Sequence, residues 1–354
     1  MMMTQNLLTL TNKESLEKDF YANPFRFSYS SLNKLLYAPQ LFYRDYILKQ
    51  KDQEITPSLL QGKAIHCLLL DDGSFDKQFI LLPGNFPSDN PKKILDKLYE
   101  YYIEQKFYCD AQDGEVGQAS PLLTDYSDRI LELLKEINLY QSLKTDPQRL
   151  EKINTESNQE YFNYLIDKGN RDVIDIPTYD YCLSIVERLK EHPDVNALLF
   201  PEITSDTIQI FNELPIECDL ENMPFGIKGI LDNLTFDWDN KIIRINDLKT
   251  TSKSLTDFKE TVEFYNLWLQ AAIYIKLVEK EFLINNELDL SEWKMIFTFI
   301  VIDKYKEIYA FEVSDETMGK WKAQAEEVLL KAKWHYENKR FDLPYELATN
   351  KILL

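Results

Sequence analysis

The spacing of apolar residues in this 354-residue chain changes near Pro201, where strand-like runs first appear, and that change limits its fold more than any other feature. Before it, apolar positions recur at helical intervals. Ser28 and Ser30 are candidate N-caps of a short helix through Leu32, Leu35 and Leu36, which Pro39 stops. A second helix is expected from Gln40, a third over residues 58–70 carrying Gly62, Lys63 and His66, and others over 94–107, 126–143 and 179–199. Pro83, Pro87, Pro91, Gly114, Gly117 and Pro121 punctuate the stretch 81–122. After Pro201, β-branched and aromatic runs with partial period-2 alternation predict strands at 207–214, 225–236, 241–250, 295–303 and 308–313. Between the third and fourth runs, 257–280 reads as one long helix, apolar on most sides (Phe264, Leu267, Ala271, Ile275) and so packed between layers. A last helix is expected at 315–335. The order predicts an α/β fold: a mixed central sheet made of a three-strand meander, a crossing helix and two further strands, flanked by helices, with a helical N-terminal half. The expected division is 1–74, a helical insertion or clamp at 75–200, a core at 201–340 and a tail at 341–354.

Composition narrows the function classes. At 44% apolar and 13% aromatic, the chain is that of a compact globule. Its nine glycines form neither a Gly-x-Gly-x-x-Gly nor a Walker A loop, which removes nucleotide chemistry built on those motifs. Cys67, Cys109, Cys182 and Cys218 lie far apart, without a C-x-x-C pair, and are expected to be reduced and structural. Residues 7–10 are too short for a signal segment and no apolar run approaches about 18 residues, so no membrane role is expected, and the location expected is the cytoplasm. A net charge of −19 argues against a protein that coats nucleic acid nonspecifically.

One constellation carries chemistry. Asp247 and Lys249 are two apart on a predicted strand and project from one face, and Asp232 lies on the hairpin neighbour. Convergent carboxylates with an open side suit a hard divalent cation such as Mg2+, and a lysine beside it can hold the attacking water. The Asp-x-Lys pattern alone says little: Asp257-Phe258-Lys259 repeats it, and Glu292-Trp293-Lys294 is its Glu form. Context raises this copy, since it ends the apolar run Ile242, Ile243, Ile245 and is followed by Gln270 and Tyr274, which share a helix face.

Taken together, Gly62-x-x-x-His66, Gly229-x-x-Asp232, Asp247-Leu248-Lys249-Thr250-Thr251 and Gln270-x-x-x-Tyr274 resemble the PD-(D/E)XK nuclease superfamily, and within it the RecE-type and RecB-type (exodeoxyribonuclease VIII-like) exonucleases. Phe27-Ser28-Tyr29-Ser30-Ser31-Leu32-Asn33 and Glu191-His192-Pro193 resemble the same group. The resemblance implies a metal-dependent cut of the DNA backbone, with Asp232 and Asp247 as ligands of Mg2+ (or Mn2+), His66 as a further ligand, Lys249 positioning or activating water, and Gln270 and Tyr274 supporting substrate. For the acidic residue that the family often places on the preceding strand, Glu213 is the best candidate and Glu217 the next. Leu231 stands where the family has proline, and the cysteines of iron–sulfur relatives are absent.

The function implied is an exonuclease of recombination or phage replication acting on linear duplex ends, with a single-strand annealing protein as partner and a homo-oligomer as one possible assembly. An endonuclease of the same fold and a non-catalytic DNA-binding module are the alternatives. Residues 1–70 carry eight basic and six acidic residues, and 241–259 five and two, so positive charge gathers where phosphates would lie. The acidic excess lies outside these segments and repels DNA overall, so weak DNA binding without Mg2+ is expected. Tyr29, Tyr37, Phe42, Tyr43 and Tyr46 are candidates for a base-stacking surface, with a core role as the alternative.

Overall fold

The computed structural model describes residues 18, 20–51, 56–84, 86–110, 121–203, 207–284 and 287–350. The expectations for residues 7–10, Gly114 and Gly117 lie outside them. The chain forms two compact units, 1–71 with 185–354, and 72–184.

In the first unit a six-stranded sheet is built from β1 (Arg26–Phe27), β2 (Ile208–Asp219), β3 (Gly226–Asp237), β4 (Ile242–Thr250), β5 (Lys294–Ile302) and β6 (Ile308–Glu312). The helices are α1 (Tyr29–Tyr37), α2 (Pro39–Phe42), α3 (Pro57–Leu70), α4 (Pro193–Leu199), α5 (Phe258–Phe264), α6 (Leu267–Val278) and α7 (Asp315–Asn338). β2, β3 and β4 form an antiparallel meander, β4 pairs with β5 in parallel and β6 closes the edge antiparallel. The fold is thus the mixed α/β sheet expected from the change of period. Ser28 caps α1 as part of a capping box: Ser31 N donates to its hydroxyl, and Ser28 N donates to Ser31 Oγ at 2.8 Å.

Two expected helices are broken. The stretch 179–199 divides into Ile176–Glu191 and α4, because Pro193 has no N–H to continue the ladder. The crossing helix of 257–280 divides into α5 and α6 at Asn266, which is left-handed (φ 53°). In consequence Phe264, expected to pack, is exposed. The 126–143 helix stops at Glu136, before the left-handed Asn138 and Tyr140.

α6 is packed between the sheet and α7, as its all-round apolarity requires. Leu269, Ile273 and Leu277 join Leu231, Ile245, Phe297, Phe299 and Leu329 in one core, each large side chain contributing about 1.5–3 kcal/mol by leaving water. On the opposite face from Asp232 and Asp247, Asn246 Nδ2 donates to Asn233 Oδ1 at 2.7 Å, and Asn233 Nδ2 to Asn212 Oδ1 at 2.8 Å. This ladder crosses three strands in register and also donates to the last carbonyls of α4, Leu198 and Leu199. The boundary between the units falls at Ser184–Ile185.

The second unit packs Asp89–Asp110, Ser127–Glu136 and Glu156–Lys168 around Ile94, Leu98, Leu133 and Phe162. Its helical character was expected; its parallel strand pair, Phe79–Leu81 with Asp172–Ile174, is too short to announce itself. Cys67, Cys182 and Cys218 are buried and form no disulfide.

Candidate active site

The site arises where two strands part. β3 and β4 pair from Asp237↔Ile242 to Asn233↔Asn246 and no further, while β1 pairs with the far end of β3 at Gly226 and Ile227. Asp232 and Asp247 are the first residues beyond the last pair. Leu248 would leave its N–H and C=O unpaired there, and buried backbone groups need partners. Its N–H donates to Asp232 Oδ2 at 2.7 Å, and its carbonyl accepts from His66 Nε2 at 3.1 Å. One residue of β4 thus positions a carboxylate and an imidazole.

That contact makes Nε2 the protonated nitrogen of a neutral His66 and turns Nδ1 toward acid, 3.5 Å from Glu213 Oε1 and 3.6 Å from Asp232 Oδ2. Glu213 lies opposite Asp232 in the β2–β3 register, but it is left-handed (φ 47°) and that one pairing is lost. For a non-glycine residue such a backbone is uncommon and gathers at functional positions. Ligand atoms of His66, Glu213 and Asp232 all lie within 4.8 Å of one another. Glu213 Oε1 is buried and accepts no hydrogen bond among the described residues. An imidazole lone pair aimed at two carboxylates needs a positive charge between them. Oxygen and nitrogen donors of this kind fit a divalent cation. A proton meets the same need: burial opposes an imidazolium, but the charge of Asp232 and the nearness of Glu213 outweigh it and raise the His66 pKa.

Asp247 stands beside this trio, fully buried, with Gln270 Nε2 donating to Oδ1 at 3.1 Å and Lys249 Nζ 2.6 Å from Oδ2. Burial pushes the Asp247 carboxyl up, the charge of Asp232 adds to this, and Lys249 opposes both. For Lys249 burial alone would favour loss of the proton, yet Asp247 and Asp232 hold its pKa above the ordinary value. Gln270 also donates to Tyr274 Oη at 3.0 Å. Burial first, then the charges of Asp247 and Asp232, push the Tyr274 phenol far up, so it stays protonated. Asp232, Asp247, Lys249, Gln270, Tyr274, His66 and Glu213 are therefore brought together, and Glu217 pairs instead with Arg26 at 3.7 Å.

Tyr29, named from the sequence as a stacking or core residue, also belongs to this setting. Its phenol is pushed up to about 12 by burial and by the charge of Asp247. Ser28, Tyr29, Pro215, Gly229, Ile230 and Tyr274 line an open groove of about 690 Å³ beside the parted strands. Gly229 is obligatory, since a Cβ there would lie 2.7 Å from Tyr274 Cε1. The asparagine ladder was missed, although its signal was present: Asn233 follows Asp232 and Asn246 precedes Asp247, so each carboxylate has an amide on the reverse face.

A parted strand pair presenting carboxylates and a lysine on one face suits metal-assisted hydrolysis of a phosphodiester. The sequence pattern of the PD-(D/E)XK nuclease superfamily matches residues 26–342, and the chain belongs to that superfamily. Among solved structures, it is similar to a crystal structure from Eubacterium rectale of a protein provisionally named an exonuclease. The identity is 13%, the match covers 94% of this chain and 91% of the other, and the TM-score is 0.45. No curated protein matches the chain. Among the described residues no helix is long and apolar enough to cross a membrane.

Proposed function

We propose that this nuclease is a metal-dependent deoxyribonuclease that degrades linear duplex DNA from its ends, with Mg2+ as its cation and Mn2+ able to replace it. The observation that carries the reading is the convergence of His66 Nδ1, Glu213 and Asp232, with Glu213 Oε1 buried and lacking a donor. These three residues and Asp247 would hold the cation. When bound, it supplies a water of lowered pKa and offsets charge on the phosphate.

The remaining work falls to the chain's own groups. Lys249, whose ammonium lies 2.6 Å from Asp247 Oδ2, orients the attacking water and stabilises the negative charge that develops on the phosphate oxygens. Gln270 fixes the Asp247 carboxylate by its 3.1 Å bond. Tyr274 Oη accepts from Gln270 and keeps its own proton, which it can donate to a phosphate oxygen. An enzyme of this kind leaves single strands, the substrate of a single-strand annealing protein, which is the partner we assign to it.

The test is digestion of matched linear and covalently closed circular DNA with Mg2+, with and without chelator, using strands labelled at either end. Loss of the linear form alone, only with metal, is the expected result. Nicked circles would make the enzyme an endonuclease, and survival of both substrates would remove the nuclease activity itself.

A further inference from the structure

Three large aromatic side chains face solvent on the rim near the parted strands: Phe264 is 72% exposed, Tyr37 66% and Tyr265 52%. Of the tyrosines and phenylalanine expected near the N-terminus to offer a stacking surface, Phe42 is fully buried and Tyr29, Tyr43 and Tyr46 pack against the core, which leaves Tyr37 alone in the open. The other two rings come from the break between α5 and α6. That turn is held rigidly. The buried Asn266 donates from Nδ2 to Asn33 Oδ1 at 2.7 Å and to Tyr37 Oη at 2.8 Å, while its Oδ1 accepts from Trp268 Nε1 at 3.1 Å. The fold therefore orders these rings and still leaves them in water, where burial would have been favourable.

Their surroundings indicate what covers them. Phe264 and Tyr265 meet edge to face with centroids 4.9 Å apart, so their free faces point in different directions. Lys253 Nζ lies 5.5 Å from the Phe264 centroid, on the segment that leaves β4 four residues after Lys249. The Tyr265 carbonyl accepts from Tyr29 Oη, and Tyr29 lines the groove that also contains Gly229 and Tyr274. Exposed aromatic faces beside a cation, connected to the candidate phosphodiester-cleaving site, match the chemistry of unpaired bases and their phosphates. An apolar protein surface would find the rings interrupted by Lys253 and by the exposed Glu260 and Glu263.

We infer that Tyr37, Phe264 and Tyr265 form a stacking surface for unpaired bases of the DNA strand next to the cleavage site, with Lys253 against a neighbouring phosphate. The inference rests on the nuclease reading and deepens it by adding a grip on single-stranded DNA.

The test measures binding of a fluorescent oligothymidylate by anisotropy, with Ca2+ in place of Mg2+ to hold off cleavage. A second probe of equal length and charge carries abasic sites. Phe264→Ala should weaken oligothymidylate binding about tenfold, the scale of one base–ring stack, and Phe264→Trp should restore it. The abasic probe should bind the wild-type protein more weakly than oligothymidylate binds the Ala variant, because it forgoes stacking on all three rings rather than one. Equal affinity of the wild-type protein for the two probes, or an unaltered Ala variant, overturns the inference. So does a change of Phe264→Ala from oligomer to monomer in sedimentation, which would make the rim a contact between copies of this chain. A wild-type protein that cuts DNA with Mg2+ yet shows either of the first two results loses only this surface, whereas one that neither cuts nor binds DNA loses the nuclease reading as well.

Discussion

Asp232 and Asp247 share one opening but meet different demands. Asp232 takes a backbone N–H and stands next to an imidazole, while Asp247 is sealed from water with Lys249 as its counter-charge. Because Asp247 is the counter-charge of the buried Lys249 ammonium, Asp247→Asn should lower the metal-free melting temperature as well as remove cleavage. Lys249→Ala should lower the cleavage rate by roughly 10²–10³-fold, the usual effect of deleting one group that stabilises developing charge. Wild-type rates in either variant would refute the roles given to these residues. Two glycines make a sharper contrast. Gly229→Ala sets a methyl 2.7 Å from Tyr274 Cε1 and 3.2 Å from Leu277 Cδ1, and overpacking of this kind costs about 1–3 kcal/mol. Gly62→Ala meets only Thr250 Oγ1, at an ordinary 3.5 Å. Thermal unfolding should therefore show a clear loss for the first and almost none for the second; equal melting temperatures would show that the Tyr274 ring is free to move.

Among the elements, the helical turn Tyr43–Ile47 is fastened to α1 by a buried charge. Asp45 lies between Lys34 and Arg44, and although burial opposes its ionisation, the hydrogen bonds from both partners hold its pKa below the ordinary value. A carboxyl depressed on folding stabilises the native state above its unfolded pKa near 3.9, and that contribution fades as pH falls through the folded value. Asp45→Asn should cost about 1–3 kcal/mol at pH 7 and show a shallower loss of stability below about pH 4 than the wild type, as read by urea unfolding. A parallel acid limb in the two proteins would contradict this. The sheet tolerates change no better: Asn246→Ala leaves Asn233 Oδ1 and the Leu198 carbonyl without that donor, and should cost a similar 1–3 kcal/mol in the same assay. The five main strands were legible in the sequence because alternation and β-branching are local signals. The break at Asn266 was not, because its left-handed backbone is held by Asn33 and Tyr37, more than two hundred residues earlier. Much the same holds for the site. Asp232, Asp247 and Lys249 follow from a strand and its neighbour, whereas the meeting of Glu213 with His66 depends on one left-handed residue in β2 and on where α3 docks.

At the scale of the molecule, a net charge of −19 coexists with a site that itself gathers four carboxylic and imidazole groups. Repulsion among the three carboxylates is a cost of the folded state that the unfolded chain does not carry. The donors also come from α3, β2 and β3, and His66 and Glu213 are far apart along the chain. A cation that needs them together can bind the native state and has no comparable site in the denatured one. Once bound, it would act as a reversible tie between distant stretches of chain and add RT ln(1 + [L]/Kd) to stability, about 2.7 kcal/mol at a hundred times Kd. Titration with Mg2+ or Mn2+ should raise the melting temperature progressively, and less steeply for His66→Ala. A melting temperature that ignores both cations would sever the tie. In this sense the parting of β3 from β4 would make the enzyme's resistance to unfolding depend on the metal content of its surroundings.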